Sequence, residues 1–318
     1  MAPHSSDLFG DTQPPLLIPH VHILMGCYNG GRYLREQLQS FKEQRHQAWS
    51  LWISDDGSTD DTLTIIREFD RACPGRLVRL LEGPRQGSAA NFLSMLCHPD
   101  LPPGIVALSD QDDVWMPDKL DRAVSQLLVA GPGPCVWSAR YQITNSTLTV
   151  QGVSSHWPRG PSLANAMVQN ILSGHTLTLN PAALEIVRRA GPQPVPHHDW
   201  WIYLLIMASG GQALVDEAVV LKYRQHAENV MGFRASPRAI LMRLESIMNG
   251  DLQDWIATNL RALRNTDLPF TQDAVEILET WSEQRPVKML RLLRDHGIHR
   301  QSSAETALIH LAAALGKL

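Results

Sequence analysis

At 318 residues, 44% of them hydrophobic and 19% charged, the chain has the length for one large or two medium domains and the composition of a folded globular protein, which excludes a disordered or coiled-coil chain. Twenty-eight Lys and Arg against 32 Asp and Glu leave a formal net charge of -4, so there is no general attraction for a phosphate backbone and nucleic acid is excluded as an expected partner. Cys27, Cys73, Cys97 and Cys135 form no C-x-x-C pair and fall in or beside apolar segments, the habit of free thiols in a reducing compartment, which excludes a disulfide framework and a structural zinc site.

Residues 1–19 carry no Lys or Arg and no long apolar core, but they do carry Pro3, Pro14, Pro15 and Pro19. A flexible lead-in is expected there rather than a signal peptide, and with it a cytoplasmic protein. The apolar run 21–27 predicts a strand that breaks at Asn29-Gly30-Gly31. Leu34, Leu38 and Phe41 then recur at helical spacing, and 51–54 is a second short apolar run. Asp55-Asp56-Gly57-Ser58-Thr59-Asp60 reads as a turn that caps a helix with Ile66 and Phe69 on its apolar face. Runs at 77–81 and 105–108 continue the strands. Between them Ala89, Phe92, Leu93 and Leu96 mark a helix, and after them Pro117 can open another with Leu120, Val124, Leu127 and Leu128 inside. The order β-α-β-α-β-α-β-α is that of a parallel α/β sheet.

Gly131-Pro132-Gly133-Pro134 is a firm break, after which strand-like and helix-like segments mix less regularly to about residue 224. The densest apolar stretch, 200–208, is about half of the roughly 20 residues that span a bilayer. Beyond Gly232 the strand signal disappears. The remainder reads as helices separated by Asn249-Gly250, Leu268-Pro269, Arg285-Pro286 and Gly297. A boundary near residue 234 divides the expected catalytic domain (20–234, with halves of about 20–130 and 131–234) from a C-terminal helical region (235–318).

Open α/β sheets bind ligands at the carboxyl ends of their strands. Tyr28-Asn29-Gly30 follows the first strand, Asp55-Asp56-Gly57-Ser58 the second, and Ser109-Asp110-Gln111-Asp112-Asp113 the fourth. Taken singly, the first is a turn as readily as a base-stacking site, and the second is as readily a cap. The third places three carboxylates within four residues, which repel one another unless a cation or donors offset the charge. The spacing is not that of an EF-hand. Gly83-Pro84-Arg85-Gln86-Gly87-Ser88 lacks the lysine of a P-loop, and no G-x-G-x-x-G occurs.

In this order the pieces resemble the family 2 inverting glycosyltransferases of the GT-A fold. The motifs are Tyr28-Asn29-Gly30, Asp55-Asp56-Gly57-Ser58-Thr59-Asp60, the segment through Asn91-Phe92, Asp110-Gln111-Asp112-Asp113-Val114-Trp115, Pro117-Asp118-Lys119-Leu120, Ser173-Gly174-His175, His198-Asp199-Trp200-Trp201, and Tyr223-Arg224-Gln225-His226 with Asn229. They cover residues 21–232 and look most like the bacterial rhamnosyltransferase-like branch. The resemblance implies a GT-A nucleotide-diphospho-sugar transferase fold, a Rossmann-like mixed sheet flanked by helices. It implies nucleotide binding by Tyr28, Asn29, Asp55, Asp56, Asn91 and Asp110, and a divalent cation, Mg or Mn, held by Asp112 and Asp113. His226 is either a further metal or phosphate ligand or a structural histidine. Asp199 is implied as catalytic base, although His198 stands where the commoner pair has Glu. Gly174, His175, His198, Trp200 and Trp201 fall to the acceptor and sugar side, with stacking on a sugar ring expected of Trp200 or Trp201.

The implied reaction moves a sugar from a UDP- or dTDP-linked donor to a hydroxyl of a glycan or lipid-linked glycan in cell-surface polysaccharide synthesis. The rival reading is a catalytically silent sugar-nucleotide-binding subunit that recruits partners through its C-terminal helices. In the segment 286–294, Lys288, Arg291 and Arg294 share one helix flank while Met289, Leu292 and Leu293 form another. Three uses of that helix stay open: packing on the catalytic domain, a peripheral contact with the inner face of the cell membrane, or self-association.

Overall fold

Val21–Cys27 forms β1 because its apolar run can be buried on both faces of a sheet. Val21, Ile23, Met25 and Cys27 enter one core layer, and Leu24 enters the other. The structure is a computed structural model and describes residues 18–226, 250–281 and 285–318. The expected boundary near residue 234, most of the lead-in and Asn229 lie outside the described residues.

The elements follow in chain order: α1 (Leu34–Lys42), β2 (Trp49–Asp55), α2 (Thr62–Ala72), β3 (Leu77–Glu82), α3 (Ser88–Leu96), β4 (Ile105–Ser109), β5 (Val114–Trp115), α4 (Lys119–Ala130), β6 (Cys135–Thr144) and β7 (Val150–Val153). Then come α5 (Leu163–Ala166), a 3-10 turn (Gly174–Thr176), β8 (Thr178–Leu179), α6 (Pro181–Ala190), α7 (His198–Ala208) and β9 (Gln212–Arg224). Asp251–Arg264, Gln272–Trp281, Pro286–Asp295 and Ser303–Ala314 are α8, α9, α10 and α11.

The strands join one mixed sheet in the order β3-β2-β1-β4-β8-β6-β9-β5, with β7 added to β6. β1, β2, β3 and β4 are parallel, as expected, whereas β8 runs antiparallel to both β4 and β6 and turns the sheet into its second half. The apolar pattern alone leads straight from β4 to a helix. The structure inserts β5, whose Val114 and Trp115 pair antiparallel with Lys222 and Leu221 of β9. Two residues are too few to show a period. Pro117 does not open α4, which begins at Lys119. Leu128 is 61% exposed rather than inside, because it lies about 80° around the helix from the stripe centred on Leu120, Val124 and Leu127.

α1, α2 and α4 cover one sheet face. On the other face α3, α6 and α7 share a single apolar cluster with α8 to α11. Gln301 adds a polar seam: its amide donates to the Gly160 carbonyl (2.8 Å), and its backbone N–H donates to Gln169 Oε1 (2.8 Å).

Candidate active site

β1 lies between β2 and β4, so the strand order reverses there, and such a reversal opens a crevice at the strands' carboxyl ends. The three loops at this rim are tied to one another. Tyr28 N–H donates to Gln111 Oε1 (2.9 Å) and Gln111 Nε2 donates back to the Tyr28 carbonyl (2.8 Å), which joins the ends of β1 and β4. A Cβ on Gly30 would stand 2.1 Å from Gln111 Oε1, so a side chain there would have to push Gln111 out of this pair. Asn29, with φ 49°, donates its N–H to Ser58 Oγ (2.8 Å) and accepts from Thr59 N–H (2.8 Å). Its side-chain oxygen therefore serves the loop. Tyr28, by contrast, projects an exposed ring over the rim.

Asp55 ends β2. Its Oδ2 accepts from Ser58 N–H (3.0 Å), while its Oδ1 is buried without a partner. Asp56 accepts from the N–H groups of Arg85 (2.5 Å) and Gly87 (3.1 Å) and so fixes the β3–α3 loop. Asn91 donates to the Ser54 carbonyl (3.1 Å) and leaves its own Oδ1 without a partner beside Gly83. Orphaned buried acceptors at Asp55 and Asn91 on one rim suit a ligand that brings donors.

After β4, Asp110 and Asp113 converge with His175. His175 Nδ1 lies 3.7 Å from Asp110 Oδ2 and 3.7 Å from Asp113 Oδ2, and one ligand atom from each residue lies within 4.8 Å of the others. Burial, with Asp112 and Asp110 beside it, pushes the Asp113 carboxyl up to about 8. Burial works against His175, yet the Asp113 and Asp110 carboxylates outweigh it and raise the imidazole above its ordinary value. Asp113 Oδ2 has no hydrogen-bond donor. Two carboxylates and an imidazole, with one oxygen unsatisfied, fit a divalent cation.

The expected metal set of Asp112, Asp113 and His226 shares only Asp113 with this gathering. The end of β9 brings His226 to Asp112 instead, with Nε2 2.8 Å from Asp112 Oδ2. Arg224 fixes the same loop from the core: its Nε donates to the Asp112 carbonyl (2.9 Å) and its backbone N–H donates to Asp113 Oδ1 (3.3 Å).

The base candidate stands on the other side of the 3-10 turn. Asp199, in the first turn of α7, accepts from Gly174 N–H (3.2 Å) at Oδ2 and from Trp200 N–H (2.7 Å) at Oδ1. Gly174 therefore touches Asp199 while the next residue, His175, touches the acidic cluster. His198 is buried and stacks on Phe92 with centroids 4.3 Å apart, and burial lowers its imidazole. Trp200 and Trp201 do not line the crevice. Trp201 is fully buried, and Trp200 packs in the same core with Nε1 donating to the Ala166 carbonyl (2.7 Å). Neither ring has a face open to a sugar, which corrects the stacking expectation for both.

Three residues gained no role from the sequence alone: Gln111, Lys119 and Arg224. Lys119 is fully buried, donates from Nζ to the His175 carbonyl (2.8 Å) and sits 3.3 Å over the Trp115 ring, with burial holding its ammonium well below the usual range. Its signal was a lysine one position before the apolar stripe of α4, on the buried side.

Comparison with known proteins gives one result. The model of Glycosyl transferase family 2 matches residues 22–178. The dTDP-rhamnosyl transferase RfbG of Shigella flexneri is 26% identical over 244 residues, 71% of this chain and 79% of that protein. WfgD of Escherichia coli, a UDP-Glc:alpha-D-GlcNAc-diphosphoundecaprenol beta-1,3-glucosyltransferase, is 28% identical over 108 residues, 34% and 41% of the two chains. Among solved structures, S. aureus TarS in complex with UDP-GlcNAc superposes with a TM-score of 0.56 at 15% identity, covering 92% of this chain and 79% of that one. The mannosyltransferase PcManGT of Pyrobaculum calidifontis, with GDP-Man and Mn2+, gives 0.53 at 20% identity, covering 95% and 88%. These superpositions establish the expected GT-A fold.

Proposed function

This chain belongs to glycosyl transferase family 2, and from that premise we propose that it is a cation-dependent, inverting transferase that moves a sugar from a nucleoside-diphosphate donor to a hydroxyl of a glycan or lipid-linked glycan. Its setting is the cytoplasmic side of bacterial cell-surface polysaccharide synthesis. The observation that carries this reading is the Gly174–His175 step, which sets the base Asp199 and the Asp110–Asp113–His175 cluster one residue apart.

Tyr28 offers a ring face to the nucleobase, and Asp55 Oδ1 and Asn91 Oδ1 offer acceptors to its N–H groups or to the ribose. Asp110, Asp113 and His175 would hold the cation, which when bound offsets charge on the departing diphosphate. Asp199 takes the proton of the acceptor hydroxyl as its oxygen bonds to the anomeric carbon. The bond from that carbon to the diphosphate oxygen breaks on the opposite face, so configuration inverts. The silent-subunit reading has less support, because a binding module needs no carboxylate at Asp199 held against the turn that carries His175 to the acidic cluster.

Incubation with a panel of nucleotide sugars, with and without Mn or Mg, tests the proposal. The likeness to a dTDP-rhamnosyl transferase puts a dTDP-deoxyhexose first in that panel. Donor hydrolysis that depends on the cation and stops in excess chelator is the expected outcome. Undiminished turnover in chelator sinks the cation assignment, and no turnover or binding of any donor sinks the reading as a whole.

A further inference from the structure

A histidine that ligates a metal is ordinarily oriented by a hydrogen bond from its other ring nitrogen to a carboxylate or a carbonyl. His175 turns Nδ1 to Asp110 Oδ2 and Asp113 Oδ2, 3.7 Å from each, while its Nε2 is buried with no partner among the described residues. Its orientation therefore comes from the ring faces and from the backbone. Tyr223 stacks on the imidazole with centroids 4.9 Å apart, and Tyr141 meets it edge-on at 4.6 Å. The backbone is held by Lys119, whose Nζ donates to the His175 carbonyl at 2.8 Å.

A lysine enclosed at the start of α4 is costly unless its amine gains partners. Lys119 is fully buried, and its Nζ lies 3.3 Å from the centroid of the Trp115 ring. Trp115 belongs to β5 and pairs with Leu221 of β9, and Tyr223 follows on the same strand. One pair of strands thus carries both the ring beside Nζ and the ring stacked on the imidazole. An apolar side chain would fill this place in the core at lower cost, so the amine answers a need of the His175 carbonyl rather than of α4.

We propose that Lys119 is a positioning residue for the cation: by holding the His175 carbonyl it sets the imidazole against Asp110 and Asp113 and so fixes the geometry of the three ligands. This rests on the cation reading of that cluster given above. Removing the amine leaves a buried carbonyl without its donor, which is expensive. The 3-10 turn then shifts to satisfy it and carries the imidazole away from the carboxylates. A lysine that served only as a counter-charge to Asp110 and Asp113 would compete with the cation, and its removal would tighten cation binding. The two roles therefore differ in sign.

Mn binding to the full chain, read by electron paramagnetic resonance alone and with saturating UDP or dTDP, tests it. K119M keeps an apolar stem and removes the amine, and it is expected to raise the Kd for Mn roughly ten- to a hundredfold with the far-UV spectrum retained. In an H175Q background the same change is expected to add less than about twofold, because the imidazole it would misplace is gone. K119Q, with a donor on a stem one atom shorter, takes the place of K119M if the latter does not fold, and weakens binding in the same direction. Binding equal to or tighter than wild type in the folded variant overturns the proposal, as does a loss that is fully additive with H175Q. Absence of Mn binding by the wild type under every condition removes the cation reading itself, and this proposal with it.

Discussion

A carboxylate placed to take a proton acts on the acceptor and leaves the nucleotide alone. Asp199→Asn keeps the size and the acceptor oxygen that Gly174 N–H can reach, but removes the basic group. Transfer is expected to fall by roughly 10²–10⁴-fold while donor affinity, read by calorimetry, stays within a few-fold. Loss of both together would reassign Asp199 to donor binding. Away from the crevice, His22 sits buried on β1 with Nδ1 3.1 Å from Ser50 Oγ, and burial, with His20 and Arg188 nearby, lowers it from 6.5 to about 4. The unfolded chain then binds a proton that the folded chain refuses between those values. Stability is full above pH 6.5 and declines as pH falls toward 4, by up to roughly 3 kcal/mol. His22→Gln should flatten that part of the curve of unfolding free energy against pH. An unchanged slope would show that other groups set the acid response.

At the scale of elements, the 3-10 turn is the joint of the site. A Cβ on Gly174 would stand 2.7 Å from His198 Nε2, and His198 is held by its stack on Phe92. Gly174→Ala must therefore displace the turn, taking Gly174 N–H from Asp199 and His175 from the acidic cluster. A misplacement of about 1 Å costs on the order of 10²-fold in rate, so kcat should fall by that order with the far-UV spectrum unchanged. Wild-type turnover in this variant would remove the turn from the mechanism. The parallel strands β1 to β4 were legible as apolar runs because each is long enough to have a pattern. β5 and β8 are two residues each and are made by their partners. The carboxylates were legible as a group. Which of them meet was not, because the end of β9 decides that Asp112 takes His226 and leaves Asp110 and Asp113 to His175. The burial of Trp200 and Trp201 did have a signal: after Asp199, α7 is apolar all round, and such a helix is enclosed on every side.

For the whole molecule, one apolar cluster runs from Leu24 of β1 through α7 into α8, α9, α10 and α11. Trp255 of α8 meets the His197 ring at 5.0 Å and Trp200 at 6.5 Å, on either side of Asp199 in sequence. Asp199 thus begins a helix whose outer face is braced by the C-terminal helices, and a region that looked separable in sequence shares a core with the sheet. Leu263, 1% exposed in α8, tests whether that sharing is energetic. Its truncation to alanine leaves a cavity costing about 2–5 kcal/mol. If the cluster is one cooperative unit, Leu263→Ala moves the whole thermal transition down, and donor hydrolysis disappears in the same transition. If α8 to α11 unfold first while the sheet and donor binding persist to the wild-type temperature, the helices are an appended domain, and the brace behind Asp199 contributes nothing to the stability of the crevice.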